Sequence, residues 1–382
     1  MKRAFFAALL AASLTAAHSS HAFIWPNVPD ELERALSASD VVQRRAAAGR
    51  LQDLPAKVAA PLVLRALDDT DTEVRLMAAW AAAEQRTSGA GDRVIDWLGE
   101  GDSRLRRTAC EVLYLLPTPR AVGPLSRVLS DANAEVRAAA AATLGMLGER
   151  EAVPPLLGHL DDPSLEVRTA IVTALGRIGD KRVVVPLLGK VQDNAHDVRR
   201  MTVRVLGDLG DIRAASALML ALRDKSDDVR IEAIDSLGRL KATEATSALT
   251  PLTQGSSSLA IRDAAVEALG RIGNEVAFKA LMVALEQDDL SNQRSAVRRA
   301  LASIGPAIIP QLVSAISQSS AKVASGASLV LGKIGSDAHV DVIVRAMQEG
   351  KVPSSIGLRA LAELNSPSAQ PYVLEMLDAP SL

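Results

Sequence analysis

Apolar and polar positions in this 382-residue chain return with a period of 31. Counted from a recurring arginine, apolar or small residues stand at offsets −1, +3, +4 and +7. Around Arg168 these are Val167, Ile171, Val172 and Leu175, and around Arg199 they are Val198, Thr202, Val203 and Leu206. That spacing draws one stripe along a helix. A second apolar stretch precedes each stripe, as in Val122–Leu129, Val153–Leu160 and Val183–Val191. Each period therefore predicts two helices. Pro124, Pro155 and Pro186 fall near the start of the first, where a missing amide hydrogen matters least. Gly148, Gly179, Gly210 and Gly273 close the second, where a left-handed C-cap is expected. No unit can cover its own stripe, so neighbours must stack.

The arginines form a row: Arg44, Arg75, Arg106, Arg137, Arg168, Arg199 and Arg230 at intervals of 31, then Arg262 and Arg294 after steps of 32. Six residues upstream runs an acid row of Asp69, Glu100, Asp131, Asp162, Asp193 and Asp224. These acids belong in the turn before the second helix, where negative charge is favoured and an arginine of the same or the adjacent unit is in reach. The expectation is a ladder of charge-assisted hydrogen bonds setting the angle between repeats, with a ligand-binding acid row as the alternative. The rows lapse at Ser256, Gln318 and Gln348, and Ala324 and Ser354 replace the last arginines. Terminal units of a stack are expected to be atypical. Gln254–Ser258 reads as a flexible turn and a softer joint near 254–258.

The phrases Glu135-Val136-Arg137-Ala138-Ala139-Ala140, Glu166-Val167-Arg168 and Leu175-Gly176-Arg177-Ile178-Gly179 resemble HEAT repeats, of the short type named after phycobilisome lyases. The resemblance runs from about Asp30 to Leu377. It implies an all-α, right-handed solenoid of about ten or eleven helical pairs, with the second helices lining a concave face. It also implies a scaffold or protein-binding role, with a lyase or oxidoreductase as the rival reading by analogy alone. One HEAT-like hydroxylase family carries di-iron on repeated His-Glu pairs. Here His159, His196 and His339 remain beyond the leader, none followed by Glu. Zinc spacings, phosphate-cradling loops and nucleophile elbows are not found, so neither cofactor nor metal is predicted. Cys110, the single cysteine, sits at core offset +4 and reads as a buried, inert thiol. No lyase role transfers to it.

Residues 1–22 read as a secretory leader: Lys2 and Arg3, an apolar run from Ala4 to Ala17, and Ser20-His21-Ala22 as the cleavage site. That run is too short to span a bilayer comfortably. Cleavage after Ala22 would leave 23–382 as one helical array without a membrane span, periplasmic or secreted. Removing Lys2 and Arg3 takes 43 basic residues to 41 against 45 acidic, a net of −4. With both signs interspersed and no basic stripe, a nucleic-acid partner is disfavoured.

Function is then expected on the surface of the second helices, at offsets +1 and +5. Two groups stand out in a chain with only 2% aromatic residues. Leu76, Met77, Trp80 and Tyr114 form an apolar, aromatic cluster beside Arg107 and Glu111. Residue types of this kind are enriched at binding hot spots. The competing reading packs Trp80 and Tyr114 beneath the segment Phe23-Ile24-Trp25-Pro26. Farther along, Arg200 and Arg204 face Glu232, Asp235, Asp263 and Glu267, either to neutralise one another or to line a polar docking groove. The expected function is an exported, non-catalytic adaptor holding another protein or an extended peptide. A structural part in an envelope or motility complex is the further alternative.

Overall fold

Arginine and aspartate meet in this structure at a separation of 25 residues, from one repeat to the next, and the helices are arranged around those contacts. The computed structural model describes residues 27–254, 258–292 and 294–378. Among them every regular element is an α-helix or a short 3-10 helix. The leader, Phe23–Pro26 and the centre of the predicted joint lie outside the described residues.

The chain divides into two units, at Val128 and Leu129. The first holds three helical pairs: Val28–Leu36 with Val41–Gly49, Ala56–Ala66 with Thr72–Gln85, and Ala90–Val94 with Ser103–Leu115, followed by Val122–Val128. The second holds eight second helices, at Ala134–Leu147, Leu165–Ile178, His196–Asp208, Asp227–Arg239, Leu259–Ile272, Ala296–Ile304, Ala321–Ile334 and Ser354–Leu364. Shorter first helices alternate with these, and Gln370–Asp378 ends the described chain. Eleven second helices among the described residues match the expected ten or eleven pairs.

Offsets +4 and +7 are the core. Val172, Val203, Ile234, Leu175, Leu206 and Leu237 are fully buried, as is Cys110 in the first unit. Each buried leucine contributes about 2 kcal/mol by removal from water. Consecutive second helices of the second unit touch closely through a row of glycines at offset +8. A Cβ on Gly145 would lie 2.6 Å from the Cα of Ala174, and one on Gly270 would lie 2.8 Å from that of Ala300. These approaches leave room for hydrogen alone, so the repeats sit at one spacing. The second helices start on short polar caps: Asp71, Asp102, Asn133 and Ser164 accept from backbone amides of the first turn. Gly148 and Gly179 end theirs at φ 72° and 71°.

The ladder is set by one guanidinium doing two tasks. In the second unit Arg168 Nη1 donates to the carbonyl of Asp162 in its own turn at 2.8 Å, while Nε and Nη2 grip Asp193 of the next turn at 3.0 and 2.9 Å. Arg137 with Asp162 and Arg199 with Asp224 repeat this. Each acid also accepts from the amide two residues on, as Asp193 does from Ala195. The first unit has the same arrangement in Arg44 and Asp69. Its next rung differs: Arg75 reaches Glu100 with Nη1 alone, and its guanidinium lies 5.6 Å over the buried ring of Trp97. Asp69, Glu100, Asp162, Asp193 and Asp224 thus pair with the arginine of the preceding repeat, not their own.

The ninth repeat departs from the expected register. Its second helix begins at Ala296, so Arg294 precedes it and Ser295, placed by its +1 offset on the groove-lining surface, is instead a buried N-cap. Arg298, at core offset +4 and only 3% exposed, holds Asp288 of its own turn at 2.8 Å, a pairing within the repeat instead of the rung to the next one. In the tenth repeat Ser325 and Leu329, placed by offsets +1 and +5 on the same groove-lining surface, are each 1% exposed.

Burial alone would raise the carboxyl pKa of Asp162, Asp193 and Asp224. The arginine hydrogen bonds, the turn amides and the arginine charges together outweigh it and hold all three below the ordinary 3.8. A carboxylate lowered in the folded state stabilises fully above its unfolded value, and that contribution is lost as pH falls through the folded value. Stability in urea is expected to decline below about pH 4; a rise on acidification would contradict the ladder. Asp193→Ala, which strands Arg168, is expected to cost about 3 kcal/mol in urea unfolding. A cost under about 1 kcal/mol, the range of exposed pairs, would contradict it equally.

Candidate protein-binding surfaces

The first unit carries the aromatic group on two packed helices. Thr72–Gln85 presents Leu76, Met77 and Trp80, and Ser103–Leu115 presents Arg107, Glu111 and Tyr114. Periodicity explains the division on the first helix. Val74 and Ala78, at offsets −1 and +3, face the core, which turns Leu76 and Trp80, four residues apart, the other way. Trp80 is 45% exposed, an unusual state for the largest side chain in a chain this poor in aromatics. Leu76, Met77, Glu111 and Tyr114 are half-buried and Arg107 is exposed. Met77 rests its sulfur near Gly49 of the preceding second helix. Arg107 Nε donates to Glu111 at 2.8 Å within one turn. The result is an aromatic side chain with a neutralised ion pair carried on the neighbouring helix.

The second unit carries the charged group, and there the structure draws an alternating chain across four second helices. Arg204 donates to Glu232 at 2.6 Å; Arg239 contacts Glu232, Asp208 and Asp235 at 3.4, 3.3 and 3.2 Å. Arg271 joins Asp235 to Glu267, and Arg299 closes on Glu267 at 2.9 Å. The Glu232 hydrogen bond, followed by its charge, raises the Arg204 pKa further. Four arginines meet four acids, so mutual neutralisation, one of the two readings from sequence, describes this surface. Arg200, half-buried, and Asp263, exposed, stand outside that chain of contacts. Exposed pairs of this kind contribute little to stability individually.

Sequence reasoning missed Arg239, Arg271 and Asp208. Their signal was present: all three occupy offset +9, one turn beyond +5, so they extend the same outward stripe. It also missed Arg298, since a charge at a core offset has no periodic signature.

Among the described residues no three His, Cys, Asp or Glu side chains gather into a group that could hold a metal ion. His159 bonds Ser130 at 3.0 Å and the Pro155 carbonyl at 2.9 Å, and His339 caps a turn with Ser336. No single helix among the described residues is long and apolar enough to cross a membrane.

A family model for HEAT repeats matches four consecutive, overlapping segments: residues 29–113, 91–171, 159–230 and 216–302. Among solved structures, the YibA protein of E. coli is 20% identical, covering 70% of this chain and 97% of that one at a TM-score of 0.51. An engineered protein is 18% identical over 93% of this chain and 100% of that one, at 0.50. Importin beta is 14% identical over 93% of this chain and 60% of that one, at 0.54. At these identities the likeness is one of fold. A search of curated proteins finds no match.

Proposed function

Given that the chain belongs to the HEAT-repeat family, we propose that it is an exported, non-catalytic adaptor whose second-helix surfaces hold another protein. One observation carries this reading. Trp80 stands 45% exposed on a second helix, with Leu76 and Met77 beside it, in a chain whose other large apolar side chains are mostly core. An aromatic ring flanked by aliphatic side chains and bordered by a paired Arg107 and Glu111 suits the apolar anchor of a partner. The charged chain in the second unit supports a second, polar docking area, since its members are paired yet solvent-facing. Binding there would exchange ion pairs without stranding a charge.

Export is proposed from the leader. Amino-terminal sequencing of the protein purified from its native host is expected to begin at Phe23, with the protein recovered outside the cytoplasm; a chain beginning at Met1 in the cytoplasm would sink this part. For docking, the double variant Trp80→Ala, Tyr114→Ala is expected to keep its melting temperature. It should lose about thirtyfold in affinity for whatever protein the wild type retains, a loss on the order of 2 kcal/mol for two anchor residues. Unchanged retention by the folded variant would sink the reading.

A further inference from the structure

Contacts in a repeat stack run between neighbours. One hydrogen bond in the second unit skips a repeat. Arg359 Nη1, on Ser354–Leu364, donates to the carbonyl of Leu290 at 3.2 Å across 69 residues, past the whole pair Ile309–Gln318 and Ala321–Ile334. Leu290 can be reached because the turn that begins at Asp288 runs on through Ser291 and Asn292, where the periodicity predicts the start of a helix.

Arg298 organises that turn from below. Its Nε holds Asp288, and its Nη2 donates to the carbonyls of Asp289, at 3.1 Å, and Asn292. Ser295 Oγ donates to Asp288 at 2.6 Å, and both the amide and hydroxyl of Ser291 go to Asp289. With its polar groups so used, the turn projects the Leu290 carbonyl outward. Beneath it, Ser325 is buried, and Ser325, Lys322, Leu290 and Ser291 line one open cleft. At offset +1 elsewhere, Thr169 and Arg200 are half-buried and Asp263 is exposed, whereas Ser295 is buried as the N-cap of its own helix.

We propose that the turn Asp288–Asn292 is an autoinhibitory strap, closing the second-helix surface of Ala321–Ile334 in cis. It lies where an extended segment of a partner would lie, and Arg359 takes its carbonyl as it would take a main-chain carbonyl of that segment. The strap rests on the second helices being docking surfaces. Its test needs no partner and no residue of the first unit, so each reading can fail without the other.

The test is thiol labelling by a maleimide, made clean by the burial of the one native cysteine, Cys110. Ser325→Cys in the otherwise native chain is expected to label slowly. Adding Arg359→Ala removes the clasp and is expected to speed labelling roughly tenfold or more through local opening. Glu363→Gln removes the other contact of Arg359, at 3.9 Å, and is expected to leave labelling slow. Ala327→Cys, in the core of the same helix, reports unfolding and is expected to stay unlabelled beside Arg359→Ala. Fast labelling of Ser325→Cys alone, no acceleration by Arg359→Ala, or equal acceleration at Ala327→Cys would each overturn the strap.

Discussion

The recurring guanidinium is the part on which the rest of the structure depends. Arginine presents a planar fork with five donors, enough to bind carbonyls of its own turn and both oxygens of the next acid at once. Arg168 does this with Asp162 and Asp193, and Arg199 with Asp193 and Asp224. Each acid is therefore shared: its carbonyl serves one arginine and its carboxylate another. Lysine could not replace these residues, because a single ammonium has neither the span nor the planar geometry. The consequence is a fixed offset between successive turns.

Fixing an offset is a different task from supplying stability. Buried ion pairs give back much of their attraction in desolvation, and apolar replacements of equal volume are often as stable. The favourable free energy of this fold comes instead from the seam of Leu and Val at offsets +4 and +7, reinforced by close contact at the glycine row. Gly145 against Ala174 and Gly270 against Ala300 allow the second helices to approach until backbones touch. Neither feature alone would specify one arrangement. Apolar stripes can slide along one another, and a charge ladder without them would remain solvated.

The ninth repeat shows the effect of a local change in register. There the helix starts late, the residue in phase with the arginines falls before it, and Arg298 enters a position that is apolar elsewhere. A buried charge at such a place is tolerated only with full hydrogen bonding, and Asp288 together with two carbonyls provides it. Residues of the turn gathered around Arg298 line one cleft with Ser325, so the departure in register shapes the surface beside the following repeat.

Much of this was legible from the chain alone. A period of 31, stripes at helical spacing, glycines at the C-caps and paired charge rows each follow from local geometry, so helix count, core residues and the ladder could be read in advance. The aromatic group at Trp80 was also legible, because an exposed aromatic breaks the periodic pattern. The contacts of each side chain were not. Whether Asp193 meets Arg168 or Arg199 depends on the distance between successive turns, and the chain of ion pairs from Arg204 to Arg299 depends on which side chains converge across four helices. Arg298 and the Arg359 bond to Leu290 depend on a helix that starts late and on reach across a whole repeat. Periodicity encodes the direction in which a residue points; only packing in three dimensions decides what it finds there.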